Sequence, residues 1–334
     1  MIIDLATIWA GLIAFAVLAY VVLDGFDLGI GILFPFFPHR AERDLMTNTV
    51  APVWDGNETW LVLGGGGLMA VFPLAYAVVF PALYIPLVIM LLGLIFRGVA
   101  FEFRFRTTRW HSLWDWGFGI GSTVAALMQG IALGALVQGI KVTGRTYSGG
   151  WWDWLSPFSI LTGIAVVVGY ALLGACWLNL KTHGEIQAKA RRVAAGAGIG
   201  TLALIGVVSL WTPFINPLYF ARWFAFPTAV FSVIVPVLIA GCAWLFWRGL
   251  VGDKHLQPFL AALAVFVLSF VGIGISFYPY MVPGAVTIAE AAAPDSSLAF
   301  LLYGAAVLIP LILAYTGYAY WVFRGKVEPG EGYH

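Results

Sequence analysis

Charged residues are scarce in this chain: 17 Lys and Arg and 16 Asp and Glu make up only 10% of its 334 residues, against about 25% in ordinary soluble domains. With 61% hydrophobic residues and a mean hydropathy of +0.93, a water-soluble globule is excluded. The net charge of +1 comes without a basic block. No zinc-like Cys/His spacing and no G-x-x-x-x-G-K-[ST] loop occurs, so nucleic acid and nucleotide partners have no support. Cysteine is nearly absent: Cys176 and Cys242 sit in apolar runs and read as small buried hydrophobes, not as a disulfide or metal ligands. The amino-terminal "MIIDLATIW" lacks a basic stretch and a small-residue cleavage site, so the first apolar run is expected to be retained.

Histidine is scarce too. His39, His111, His183 and His255 fall between apolar runs, and His334 is the last residue. Haem in a membrane bundle takes axial ligands from within helices, usually His, and Met69, Met90 and Met128 read as fillers of apolar helix faces. Any redox centre served by this chain is therefore expected to lie in another polypeptide.

What the chain has is long apolar runs. A bilayer core of about 30 Å needs about 20 apolar residues per helix, and nine runs qualify: 7–37, 52–73, 76–101, 115–139, 157–180, 194–214, 222–247, 257–278 and 298–323. Only "FPLAY" separates the second from the third, with Pro73 as a turn signal. The expectation is an all-α polytopic membrane protein without a separate soluble domain. Thirteen of the 17 Lys and Arg follow odd-numbered runs, among them Arg104, Arg106 and Arg109, while Lys141, Arg145 and Arg222 alone follow even-numbered ones. Positive charge collects in cytoplasmic loops, which predicts an outer amino terminus and a cytoplasmic carboxyl terminus. Two outer connections, "KVTGRTYSGGWWDWLSP" and "YPYMVPGAVTIAEAAAPDSS", are longer, and Trp151, Trp152 and Trp154 suit an interfacial aromatic belt.

Against this background the acids in "YVVLDGFDLGIG" stand out. Asp24 and Asp27 share one helix face, whereas Gly25 and Gly29 form a small-xxx-small pair on another. Asp24 lies 17 residues, or about 26 Å, from the outer end of its run near Thr7. The second run opens with "APVWDGNETW", where Asp55 and Glu58 repeat the i, i+3 spacing beside Trp54, Asn57 and Trp60. The two segments meet on an antiparallel hairpin, giving a graded series of carboxylates from the cytoplasmic side inward. Ionised carboxylates in hydrocarbon cost at least about 2.5 kcal/mol each and mark proton or ion routes. The bland alternative makes them partners of Arg97, which lies inside the third run in "IFRGVAFEF". Proton transfer is assigned to Asp24 and Asp55, with Asp27, Trp54, Asn57, Glu58 and Arg97 as supporting polar groups. For Asp115 in "LWDWGFGIGS" a structural role wins, from the helix dipole and a nearby arginine. Gly64 to Gly67 are expected to form a flat packing surface.

The segments "LDGFDLGIG", "PVWDGNETWL", "IFRGVAFEFR" and "WDWGFGIGS", in this order, together with "PLILAYTGYAYWVFRGKV", resemble subunit II of the cytochrome bd-type quinol oxidases over essentially the whole chain. The compact length is closer to that family's cyanide-insensitive branch. The resemblance implies a four-helix bundle within 1–140, a second within 157–278 and a peripheral helix over 298–323, related by a pseudo-twofold axis to a haem-bearing subunit I. It implies that subunit I oxidises quinol and reduces oxygen to water, that this chain binds no haem, and that it stabilises subunit I in the bacterial inner membrane. It further implies a proton route through the acids at Asp24 and Asp55, with Asp27, Arg97 and Asp115 at the family's other polar positions. Glu58 departs from the neutral residue common there. A structural quinone, lipid and small single-span subunits are further possible companions under the resemblance. The competing classes are a proton-coupled secondary transporter, against which no inverted repeat is found, and a purely structural assembly partner.

Overall fold

The computed structural model describes residues 4–107 and 110–328; Arg109 and His334 lie outside the described residues. Helix α1 (Leu5–Ile32) begins where the Asp4 carboxylate accepts the Thr7 N–H at 2.7 Å, satisfying one of the orphan donors of a helix start. A 3₁₀ turn (Phe34–Phe36) leads into α2 (Arg40–Asn48), a short helix with no counterpart among the apolar runs. The hairpin partner of α1 is α3 (Trp54–Val71). Pro73 then starts a new helix, α4 (Pro73–Ala82), and α5 (Tyr84–Arg106) follows. The run expected as one span over 76–101 is thus two helices. The chain breaks at Leu83, and the span proper begins at Tyr84.

Helix α6 (His111–Gln138) leads into a hairpin of β1 (Val142–Thr143) and β2 (Thr146–Tyr147), then into α7 (Pro157–Lys181). Helix α8 (Gly184–Trp211) starts ten residues before the expected run, so Lys189, Arg191 and Arg192 lie on its first turns instead of in a loop. Short α9 (Pro217–Phe224) precedes α10 (Thr228–Val251) and α11 (Leu256–Phe277). The paired strands β3 (Tyr280–Val282) and β4 (Val286–Thr287) run into the one-turn α12 (Ile288–Ala291), and α13 (Asp295–Val322) completes the order. Among the described residues eight helices are long and apolar enough to cross a membrane: α1, α5, α6, α7, α8 (with the 3₁₀ turn that follows it), α10, α11 and α13. The ninth run corresponds to α3, whose 18 residues extend about 27 Å; its polar first turn and glycines dilute its hydropathy.

The closest packing is of α5 on α6, α6 on α7, α7 on α8 and α10 on α11; α1 lies against α3, α6 and α7, and α13 rests against α1 and α3. The central crossing depends on glycine. A Cβ at Gly29 would stand 2.0 Å from the Tyr170 carbonyl oxygen, and one at Gly174 would stand 2.5 Å from the Gly29 carbonyl carbon. Gly64 and Gly67 face Val17 and Ile13 of α1 as a flat surface should, but Gly65 and Gly66 have open space before them.

The two ends of the molecule differ. At one, the hairpins and α4 close over Trp9, Phe72, Trp154 and Leu298. Here the Lys141 ammonium lies 3.0 Å from Asp153, holding that carboxyl below the usual carboxylate range and itself raised by the same contact. Trp151 and Trp152 are exposed, as a belt requires, but Trp154 is buried and donates to the Trp151 carbonyl. At the other end, α2 and the carboxyl-terminal tail tie the helix ends together. Lys181 donates to the Phe323 and Gly325 carbonyls, and Lys326 returns a bond to Thr182 O at 2.9 Å. Lys189 of α8 meets Glu42 of α2 at 3.1 Å.

Candidate functional site

Two buried ionic clusters sit on one face of α5, seven residues apart. At Arg97 the helix carries a cation wholly shielded from solvent, which neighbouring carboxylates must compensate. Its Nη2 lies 3.1 Å from Asp24 Oδ1 and 4.0 Å from Asp27 Oδ2, both buried on α1. Its Nη1 pairs with Glu58 of α3. Trp54 covers the guanidinium, with its ring centroid 5.2 Å away, an arrangement worth about 2 kcal/mol where desolvated.

Around this core the hydrogen bonds are directional. Asn57 donates to Asp27 Oδ2 at 2.7 Å, and the Tyr320 hydroxyl of α13 donates to Asn57 Oδ1 at 3.0 Å. Asp24 Oδ2, Asp27 Oδ1 and the Tyr20 hydroxyl are buried without a hydrogen-bond partner among the described residues. Exposure falls along the series: Asp55 stands exposed on the first turn of α3, the Glu58 side chain is 26% exposed, and those of Asp24 and Asp27 are 0% exposed. The "DGFD" and "DGNE" segments therefore meet. The acid of α3 that reaches the arginine is Glu58, and Asp55 lies outside the cluster.

The second cluster is built on Arg104, also fully buried. It bridges Asp115 of α6 at 2.6 Å and Asp44 of α2 at 2.7 Å, with Thr47 Oγ1 at 3.1 Å. Arg43 holds the other oxygen of Asp115 at 2.9 Å and bonds the Phe34 and Phe37 carbonyls. Asp115 lies beyond the first turn of α6, which begins at His111, so its partners are arginines and not the helix terminus. It belongs to this cluster and makes no contact with Arg97.

Sequence reasoning passed over Tyr320, Arg43, Asp44 and Thr47. Asp44 and Thr47 lie in the charged segment "RAERDLMTN", where Glu42 three residues after His39 spells a helix start; nothing local marks Tyr320, 263 residues from Asn57. Among the described residues no group of three or more His, Cys, Asp and Glu is placed to hold a metal. In the Arg97 cluster the guanidinium itself occupies the centre of the acids. A groove of about 830 Å³ opens between α1, α10 and α11, lined by Phe15, Leu18, Phe231 and Phe270 with Arg222 and Tyr278 as polar groups.

These features define a class: a polytopic helical membrane protein whose interior polar groups are paired carboxylates and arginines. The chain belongs to the family of cytochrome bd terminal oxidase subunit II, which matches over residues 5–323. It is 32% identical over 344 residues to the cytochrome bd ubiquinol oxidase subunit 2 of Bacillus subtilis (strain 168), covering 98% of each chain. It is 29% identical to the cytochrome bd-I ubiquinol oxidase subunit 2 of Escherichia coli (strain K12), over 96% of this chain and 94% of that one. The fold matches that of a chain in the structure of bd oxidase from Geobacillus thermodenitrificans, with a TM-score of 0.76, 17% identity, and 95% and 98% of the two chains covered. The protein is thus a multi-pass inner-membrane subunit of a quinol:oxygen oxidoreductase complex, and is not by itself the catalytic unit.

Proposed function

We propose that this subunit delivers cytoplasmic protons toward the oxygen-reduction site of a haem-bearing subunit I, through Asp55 and Asp24, and stabilises that partner. The observation that carries the reading is the charge balance around Arg97. Three carboxyl groups share one guanidinium inside the bundle, so a fully ionised cluster holds an excess of negative charge where solvation is poor. A proton shared within the cluster relieves that excess and is available for transfer. Glu58, half-buried one turn beyond exposed Asp55 on α3, supplies the intermediate position between solvent and Asp24. The haems belong to subunit I. The groove beside α1, apolar along its length with Arg222 and Tyr278 at its end, is where this subunit would seat a long apolar quinone.

The test compares Asp24→Asn and Asp55→Asn in the assembled oxidase for quinol-dependent oxygen consumption at unchanged haem content. Turnover is expected to fall about a hundredfold or more in each, the range that loss of a proton-transfer group produces. Full turnover in both variants would sink the pathway. Loss of haem in both would support the stabilising role instead.

A further inference from the structure

Helix α13 touches the rest of the molecule sparsely: of its 28 residues only Leu298 is buried. Yet near its charged end it sends one side chain into the acid cluster. Tyr320 is boxed by Phe26 of α1, ring centroids 6.5 Å apart, and by Trp177 of α7, 6.2 Å away at 84°. These two rings are themselves stacked at 4.4 Å, so the tyrosine ring has a defined place and its hydroxyl a defined aim.

That aim matters because of what Asn57 can do. An amide oxygen only accepts and an amide nitrogen only donates. With Tyr320 donating to Oδ1, the NH₂ group must face the Asp27 carboxylate, as its 2.7 Å contact requires. If Asp27 holds a proton, the opposite orientation becomes matched: Asp27 donates to Oδ1 and the NH₂ group donates to the tyrosine oxygen. In the orientation the structure holds, the donated hydroxyl commits the NH₂ group to the Asp27 carboxylate, whereas without the hydroxyl Asn57 is free to turn either way. The groups that face Asp27 are then complete: Asp24 on its own helix, Asn57 and Glu58 of α3, Arg97 of α5 and, through the amide, Tyr320 of α13.

We infer that Tyr320 is a positioning residue which, acting through Asn57, sets the hydrogen bonding and hence the proton occupancy of Asp27, and so ties the peripheral helix to the acid cluster. The consequence for turnover rests on the proton-delivery reading; the effect on Asp27 does not. The experiment is Tyr320→Phe in the assembled oxidase in its native membrane, since phenylalanine keeps the ring between Phe26 and Trp177 and removes only the hydroxyl.

Two readouts separate the inference from the pathway. The first is the infrared carboxyl stretch of Asp27, identified by its disappearance in Asp27→Asn; it is expected to shift in Tyr320→Phe. The second is the pH profile of oxygen consumption, expected to change shape while turnover drops about fivefold, the scale of one lost hydrogen bond between neutral groups. In an Asn57→Ala background, Tyr320→Phe is expected to add nothing. An unaltered Asp27 band, or full additivity with Asn57→Ala, overturns the inference. A shifted band with unchanged turnover upholds it and shows that delivery through Asp55 and Asp24 does not depend on Asp27. Should Tyr320→Phe fail to assemble, a ring-fluorinated tyrosine at 320 keeps ring and hydroxyl, alters the donor strength alone, and is read by the same band.

Discussion

Arg97 and Arg104 lie seven residues apart on one face of α5, about 10.5 Å along the axis, but they do different work. Arg97 faces an excess of carboxylates and one amide relay. Arg104 is clamped between Asp115 and Asp44 and covered by the rings of Phe34 and Phe105, which suits holding three elements together. Removing one member of a buried pair leaves the other charge uncompensated, at about 3 to 5 kcal/mol. Arg104→Leu is therefore expected to lower the thermal midpoint of the oxidase and the recovery of assembled complex, and Arg104→Lys to do so less, because an ammonium keeps the charge although it cannot bridge two carboxylates in a fixed fork. Unchanged recovery in Arg104→Leu would show that Arg43, which also holds Asp115, suffices. The residues themselves were readable to different depths. Arg97, Asp24 and Asp27 announce themselves as charges within apolar runs. Tyr320 does not, since an aromatic near a helix end reads equally well as an interfacial anchor.

At the scale of elements, the crossing of α1 and α7 depends on how closely those two helices approach. Gly29→Ala would drive a methyl group against backbone atoms of α7, with 2.0 Å to the Tyr170 carbonyl oxygen, where no flexible side chain can yield. Overpacking of this kind costs about 1 to 3 kcal/mol, and here it also displaces the helix that carries Asp24 and Asp27. Gly65→Ala, with nothing within 4 Å, is the control, expected to assemble as the parent does. Melting temperatures of the two purified complexes compare them directly; equal midpoints would mean that the crossing relaxes without loss. The glycine spacing of "DGFDLGIG" already pointed to this approach, and hydropathy located every long helix. What hydropathy could not find were the breaks and additions set by other forces. Leu83 interrupts an unbroken apolar run, α2 is too short and charged to register and is held by ion pairs together with buried Leu45 and Met46, and α8 extends through a basic segment that reads as loop.

For the whole molecule, the two ends carry unequal charge. Among the described residues, Lys141, Arg145 and Arg222 are the Lys and Arg of the hairpin end, whereas twelve others lie at the end formed by α2, the helix junctions and the tail. Several of those twelve are fastened: Lys181 and Lys326 to backbone carbonyls, Lys189 to Glu42, Arg191 to Asp253 at 2.6 Å. Moving so many Lys and Arg residues across a membrane is opposed however the bundle packs. The hairpin end should therefore face outward and the tail inward, which sets exposed Asp55 on the cytoplasmic side, where a proton-delivery route must begin. An introduced cysteine reports this in intact cells, in a chain whose Cys176 and Cys242 are replaced by alanine. Thr146→Cys, at the tip of the first hairpin, is expected to react with a membrane-impermeant maleimide from outside. Glu185→Cys, on the first turn of α8, is expected to react only after the membrane is opened. The reverse pattern would put Asp55 on the wrong side of the membrane, and the proton route would have to run the other way or not at all.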